Sequence, residues 1–249
     1  MFEEPKFLTA EQFLLTTLIV KLAVMAILAT MVARYRRFRH ILIFERRAWP
    51  DRFVFALAIG LPLMAGVTAR LLLNYNAADL TLEGSFLVGL IAGPYAGALV
   101  GLLMGTPALV AGEFIALPFA IGCGFAGGGL REACPKESIW KFTPFFFIDL
   151  PKHLWKMVRK LEINWQIVLL LAPVALEVIR LGLGHRFGST SLFYLESPAP
   201  WLTAFVMLAT VLGVATPIKI WNSARIEHRL QEQEKLLLAS KIKALKSQI

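Results

Sequence analysis

The chain of 249 residues is 57% hydrophobic and 17% charged, with a mean hydropathy of +0.64 and 26 Lys and Arg against 17 Asp and Glu. Soluble domains average about half apolar and a quarter charged residues, which excludes a single water-soluble globule. A membrane-spanning helix needs about 20 apolar residues, so roughly five or six spans fit and no large soluble catalytic domain does. The net charge of +9 then indicates orientation in a lipid bilayer rather than nucleic-acid binding.

The chain opens on an acidic segment, MFEEPKFLTAEQ, which lacks the basic region and the cleavage site of a signal peptide. The first apolar run is therefore predicted to remain as a span. The apolar runs are Phe13 to Ala33, Phe53 to Asn74, Gly84 to about Gly105, Ala108 to Leu130, Ile163 to Gly184 and Pro200 to Trp221.

The placement of Lys and Arg predicts the topology of these runs. The connection from Arg34 to Arg52 is dense in arginine, so it is predicted to be cytoplasmic and the N-terminus to be outside. The loop from Arg131 to Lys160 is also basic, which requires an odd number of crossings after Asn74. We therefore expect the stretch from Gly84 to Leu130 to make one full crossing plus a re-entrant or broken segment, giving five spans and a cytoplasmic C-terminus. Six ordinary helices, with one loop that violates the charge rule, are the alternative.

Glycine recurs at every fourth residue along GLIAGPYAGALVGLLMG. On one helix these glycines would form a ridge without side chains, which lets another helix approach at backbone distance. Pro94 predicts a kink beside them, because proline removes one helical hydrogen bond. The second glycine-rich stretch, from Gly122 to Leu130, predicts a break or a tight turn. The predicted packing and hinge positions are Gly89, Gly93, Pro94, Gly97, Gly101 and Gly105.

Several ionisable residues lie within the apolar runs, where a charge is costly unless it is paired or hydrated, and each therefore predicts a functional site. Glu177 and Arg180 are three residues apart and would pair on one helical face. Arg70 has a long stem that can reach the nearby interface, and the deeper Lys21 has one that can reach either a partner or an interface. Arginines would draw a small anion and glutamates a cation or a proton, and the sequence leaves this choice open. The candidate ligand-binding residues are Arg70, Asn74, Asn76, Glu113, Glu177 and Arg180, with Glu83 and His185 as outer-loop neighbours.

The sequence contains no catalytic triad, no HExxH motif and no paired-cysteine zinc site. We therefore predict no catalytic residues, no metal site and no cofactor in these residues. The two cysteines, Cys123 and Cys134, predict neither a metal site nor a disulfide framework.

After Trp221 the sequence becomes charged and free of glycine and proline, which is typical of a helix that leaves the membrane. Its apolar residues follow a heptad rhythm that predicts a coiled coil in a parallel dimer, continuous with the last span. A shift of about one residue between two sets predicts a discontinuity in that coiled coil, and a plain solvated helix is the alternative. The two sets are Ile226, Leu230 and Leu237, and Leu238, Ile242, Leu245 and Ile249.

Two segments resemble a known family. KIKALKSQI is similar to the segment that precedes the phosphorylated histidine in LytS/YehU-type sensor histidine kinases, and GSFLVGLIAGPYAGALVGLLMG resembles the glycine-rich core of that family's five-transmembrane sensor module. The resemblance covers about residues 50 to 249. It implies a transmembrane sensor domain over residues 1–221 and a signalling helix over 222–249. Glu177 and Gly213 would match a glutamate of the fourth span and a glycine of the last.

The resemblance also implies partners: a bacterial inner membrane, a second copy of the chain and a response regulator. A kinase domain following residue 249 would use ATP and magnesium for autophosphorylation. The function so implied is detection of a small molecule or an envelope signal in a two-component system. A small-solute transporter or channel subunit and a non-sensing scaffold are the alternatives.

The chain departs from the family pattern on both sides of its glycine core. Thr81 stands near the place of an arginine, and TPALVAGE, with Ala108 and Gly112-Glu113, replaces a later arginine and a paired glycine. Some relatives respond to pyruvate-like carboxylates, and the missing arginines argue against carrying that ligand over to this chain.

Overall fold

The computed structural model describes residues 10–35, 38, 41–42, 48–73, 79–142, 151, 155, 159, 164–188, 190–194 and 199–246. These ranges contain helices and irregular connections and no strand, so the predicted all-helical class is confirmed. The helices are α1 (Ala10–Arg34), α2 (Trp49–Leu73), α3 (Thr81–Ala92), α4 (Pro94–Val110), α5 (Ala116–Ala133), α6 (Lys136–Trp140), α7 (Trp165–Phe187) and α8 (Pro200–Lys246).

Among the described residues, four helices are long and apolar enough to cross a membrane: α1, α2, α7 and α8. Large aliphatic side chains point out of the bundle along them, among them Ile19, which is 67% exposed, and Leu72, which is 76% exposed. Such a surface is unfavourable in water and favourable against lipid. The predicted membrane character of the chain is therefore supported by these helices.

The stretch that follows α2 makes three successive passes in alternating directions, as the shorter helices α3, α4 and α5. We name the two ends of the bundle after two residues of α2: Arg52, near the start of this helix, and Arg70, near its end. The 12-residue α3 starts near the middle of α2, where Gly84 lies against Leu63, and ends at Gly93, beside Arg52. Its length is about 18 Å, well short of a hydrocarbon core of about 30 Å.

α4 returns beside α2 to the Arg70 end, and α5 runs back along α4 to the Arg52 end. Tyr95 stacks on Trp49 at the start of α4, and Gly101 and Gly105 face Ala120 and Leu117 of α5 in antiparallel order. Three passes are an odd number, so this stretch leaves the bundle at the end opposite to its entry. The count of five spans stays a prediction.

The fourfold glycine spacing suggests a ridge on one helix, but the structure divides these glycines between α3 and α4. The chain turns at Gly93, which has φ +105°, a conformation that side chains other than glycine's rarely adopt. Pro94 then starts α4 at its first position, where a missing N–H costs no helical hydrogen bond. Gly89 and Gly97 consequently face each other across the turn, and both lie against Gly124 of α5.

The predicted break between Gly122 and Leu130 is wrong, because α5 is continuous from Ala116 to Ala133. Glycine weakens an isolated helix by about 0.5–1 kcal/mol per residue. Here Gly124, Gly127 and Gly128 lie directly against the backbone of α3 and α4, where any side chain would collide. Close packing of three backbones thus offsets the low helix propensity.

α1 and α8 run parallel along one side of the bundle. Leu14 and Leu18 pack on Leu202 near the Arg70 end, and the indole of Trp221 donates to the carbonyl of Ala29 at 2.9 Å near the other end. α7 runs the opposite way, from the Arg52 end to the Arg70 end.

α8 is one helix of 47 residues that continues beyond the bundle. The predicted domain boundary between residues 221 and 222 lies inside this helix. Burial changes near it: Trp221 is 1% exposed, whereas the leucine and isoleucine side chains that the structure describes from Ile226 onward are more than half exposed. The predicted coiled coil concerns a second chain and stays a prediction. Ile249 lies outside the described residues.

Candidate functional site

Charged side chains meet in the interior of the bundle at the level where α3 begins. Lys21 of α1 and Glu83 of α3 are both fully buried, and their Nζ and Oε1 atoms are 2.5 Å apart. α3 starts inside the bundle rather than at its surface, and this places Glu83, in its first turn, at that depth. Lys21 therefore has a buried partner rather than reaching out to an interface.

A second ion pair lies on α7. The guanidinium of Arg180 donates to Oε1 of Glu177 at 2.6 Å, one helical turn away, as the spacing predicts. Its other terminal nitrogen lies 3.9 Å from Oδ2 of Asp79, in the segment before α3. Arg180 is 1% exposed and Glu177 is fully buried, so this pair lies in the interior rather than on a solvated face.

Asp79 and Thr81 connect this pair to the start of α3. Asp79 Oδ1 accepts a hydrogen bond from the backbone N–H of Thr81 at 2.9 Å and another from the Thr81 hydroxyl. A short acidic side chain that accepts such bonds satisfies backbone donors at a helix start. Asp79 therefore holds the turn that leads into α3 and also faces Arg180.

We call Lys21, Asp79, Glu83, Glu177 and Arg180 the central charge cluster. Glu83 is close enough to Glu177 and Arg180 to interact with them electrostatically, and the buried thiol of Cys123 on α5 is within range of the same groups. The five charged residues come from α1, α3, α7 and the segment before α3, and α5 adds the nearby thiol. The cluster thus links most of the bundle.

α8 contributes uncharged groups to the central charge cluster. The Thr210 hydroxyl donates to Oε2 of Glu177 at 3.3 Å. Gly213 lies one turn further on, and a Cβ placed there would be 3.2 Å from Cγ of Glu83. The absence of a side chain at Gly213 therefore makes room for the Glu83 stem.

A separate ion pair lies at the Arg70 end of the bundle. One terminal nitrogen of Arg70 donates to both carboxylate oxygens of Glu113, at 2.9 and 3.0 Å. The guanidinium also stacks over the ring of Phe193, 4.1 Å from its centre. We call Arg70 and Glu113 the outer pair, and its two charges balance.

The structure places the described candidate residues in two separate ion-pair groups. Arg180 and Glu177 belong to the central charge cluster, and Arg70 and Glu113 form the outer pair. A cavity of about 160 Å³ reaches both sets, since Lys21, Asp79 and Arg70 line it. Asn74 and Asn76 lie outside the described residues.

Two neighbours named from the sequence have a different place. Glu83 is buried in α3 rather than in an outer loop, since Asp79 and Leu80, directly before this helix, already lie buried in the bundle. His185 is exposed on α7, where Nδ1 lies 2.8 Å from the carbonyl of Leu181 and the ring stacks on Tyr194.

Sequence reasoning missed Asp79 and Thr210 as members of the site. Asp79 had a usable signal, because an Asp two residues before a Thr at the start of an apolar run is typical of a helix start. Thr210 had no such signal, because the hydroxyl of a threonine in an apolar span most often bonds a carbonyl of its own helix. The Thr210 hydroxyl also lies within bonding distance of the carbonyl of Val206.

No protein-family model matches this chain, and neither a curated protein nor a solved structure matches it. The resemblance to LytS/YehU-type kinases therefore rests on the two sequence segments alone.

Proposed function

We propose that the chain is the membrane sensor module and signalling helix of a dimeric sensor histidine kinase of the LytS/YehU type. The supporting observation is the continuity of α8. A single helix touches the buried charge cluster through Thr210 and Gly213 and carries exposed leucines and isoleucines more than 20 residues further on. A change at the cluster would therefore reach the exposed segment along one helix, which contains Pro217, where one helical hydrogen bond is missing.

The signal would pass as a small movement of α8. About 43 Å of helix separates Gly213 from Ile242 at 1.5 Å per residue. A stimulus that alters the contacts of Glu83 or Glu177 would favour one of two positions of α8, and the continuous helix would carry that shift or rotation to the exposed segment. The stimulus must interact differently with the two positions to have this effect.

A second copy of the chain is the proposed partner of the exposed segment. Leu238 and Ile242 are four residues apart on one face of this part of α8, and each is more than half exposed. A helix with such a stripe buries it against another helix, and parallel pairing keeps two α8 helices together as they leave the same membrane face. The sensor would then be a parallel homodimer.

Cysteine cross-linking tests this dimer. Leu238→Cys is expected to give a disulfide-linked dimer in oxidised membranes, because position 238 is a predicted heptad contact. Ser240→Cys is the control: it is two residues away and also exposed, but it points to another side of the helix. Cys123 and Cys134 are buried and form no disulfide, so they give a low background. Equal cross-linking at 238 and 240 would contradict the coiled coil.

The proposed orientation places the N-terminus outside a bacterial inner membrane and the C-terminus in the cytoplasm, as the basic connections predict. Thr190 and Glu137 are exposed at opposite ends of the bundle and suit a labelling test, whereas Asp79 is too buried to serve. Thr190→Cys is expected to react with a membrane-impermeant maleimide in intact cells, and Glu137→Cys only after lysis. Labelling of position 137 in intact cells would reverse the orientation.

The kinase step would belong to a domain that follows residue 249, which would use ATP and magnesium and pass the phosphoryl group to a response regulator. The test is ATP-dependent autophosphorylation in vesicles of the chain extended through the following domain of its gene. No phosphorylation under any stimulus would contradict the proposal. Solute flux in liposomes that stops in a Glu113→Gln and Glu177→Gln double variant would favour the transporter alternative instead.

A further inference from the structure

The central charge cluster is not electrically balanced. It contains the carboxyl groups of Asp79, Glu83 and Glu177, and the cations Lys21 and Arg180. None of the five residues is more than 8% exposed, and three are fully buried. If every group were ionised, the cluster would carry one negative charge that no described neighbour offsets, since the outer pair is balanced within itself.

A net charge in this position is unfavourable. Ionised groups are costly to remove from water, and attraction to partners repays that cost only where charges balance and hydrogen bonds are complete. A buried group of this kind usually takes up a proton or a counter-ion instead.

Glu83 is the carboxyl group whose surroundings satisfy it least. Glu177 accepts hydrogen bonds from Arg180 and Thr210, and Asp79 accepts two from Thr81. Oε1 of Glu83 has the Lys21 amine 2.5 Å away, whereas Oε2 is buried and has no hydrogen-bond partner among the described residues, although an ionised carboxylate has about four acceptor positions. Its close neighbour is the Lys21 amine.

We propose that the central charge cluster is a proton-binding site, which holds one proton on the carboxyl group of Glu83. This goes beyond the proposed function and stands without it. The groups that face this carboxyl group are Lys21 from α1, Asp79 from the segment before α3, Glu177 and Arg180 from α7, and the Cys123 thiol from α5. α8 faces it with Gly213.

A proton fits the site better than a metal ion does. The described residues include no group of three or more His, Cys, Asp or Glu that could hold a metal ion. The Lys21 amine also lies against Oε1 of Glu83, where it would repel an alkali cation. Release of the proton would place a negative charge beside Gly213, so the site can report proton availability to α8.

Infrared spectroscopy of the chain in liposomes at neutral pH tests the proposal. The wild type is expected to show the carbonyl band of a protonated carboxylic acid, shifted in D₂O, and Glu83→Gln is expected to lose it. Glu113→Gln is the matched control and should keep the band, because Glu113 belongs to the outer pair. A wild type without the band, or a band that survives in folded Glu83→Gln, would overturn the proposal.

Charge balance itself is tested by Glu177→Gln. This variant keeps Glu83 but leaves two carboxylates facing two cations, so it is also expected to lose the band. If the band persists there, the imbalance is not its cause and the proposal fails.

A wild-type measurement covers the case in which a variant does not fold. Carboxyl-¹³C glutamate should shift the band and labelled aspartate should not. A band that moves only with labelled aspartate would overturn the proton site. So would the absence of the band together with a thermal stability that requires sodium or potassium ions.

Discussion

Gly97→Leu is expected to abolish the folded core of α3, α4 and α5. A Cβ at position 97 would lie 2.6 Å from Cα of Gly89 and 2.7 Å from the carbonyl oxygen of Gly124, and both are backbone atoms that cannot rotate away. Overpacking typically costs about 1–3 kcal/mol where neighbours can adjust, and we expect at least about 3 kcal/mol here. The measurement is the thermal unfolding midpoint of the purified protein in detergent, together with the yield of monodisperse material.

The control for Gly97 is Gly122 on α5, where an added Cβ meets nothing within 4 Å. With alanine the two positions are expected to respond in opposite directions. Gly97→Ala should lower the midpoint because even one methyl group meets backbone, whereas Gly122→Ala should raise stability by up to about 1 kcal/mol through helix propensity. Equal effects at both positions would show that close backbone packing is not what position 97 requires.

Arg180→Gln is expected to destabilise the bundle by about 3–5 kcal/mol, the usual cost of removing one partner from a buried ion pair. The variant leaves Glu177 without its 2.6 Å partner and Asp79 without a nearby cation, so three carboxyl groups face Lys21 alone. Chemical unfolding in a lipid-like detergent measures the change.

A double variant separates the charge effect from the loss of packing. Arg180→Gln with Glu177→Gln should recover a large part of the stability, since it removes one unpaired carboxylate, and the double-mutant cycle gives the coupling. Lys141→Gln is the exposed control. Lys141 is 3.6 Å from Glu137 and both are mostly solvent-exposed, so its loss should cost less than about 0.5 kcal/mol. A cost at Arg180 as small as that at Lys141 would contradict a buried cluster.

The candidate site was predictable only in part. The cost of a charge in hydrocarbon identified Arg70, Glu113, Glu177 and Arg180 from the sequence, and helical spacing predicted the Glu177 and Arg180 pair correctly. The partners of Arg70 and Lys21 were not predictable, because Glu83 lies on another helix than Lys21, and Glu113 lies in the connection between α4 and α5, 43 residues from Arg70. Local spacing carries no information about such pairs.

Glu83 shows the same limit for burial. Its segment, ADLTLEG, reads as a polar connection, and only the entry of residues 79 and 80 into the bundle places α3 in the interior. The turn at Gly93 then decides which glycines meet, since the fourfold spacing alone predicts one straight ridge.

The sequence by itself determined the helical class, the membrane character and the change to a charged helix after Trp221, because these depend on composition and local periodicity. Only the tertiary structure decided that the glycines join three backbones and that the buried charges divide into a balanced outer pair and an unbalanced central cluster. Both results depend on which distant segments share one depth in the bundle, and that depth is set by packing of whole helices rather than by any local pattern.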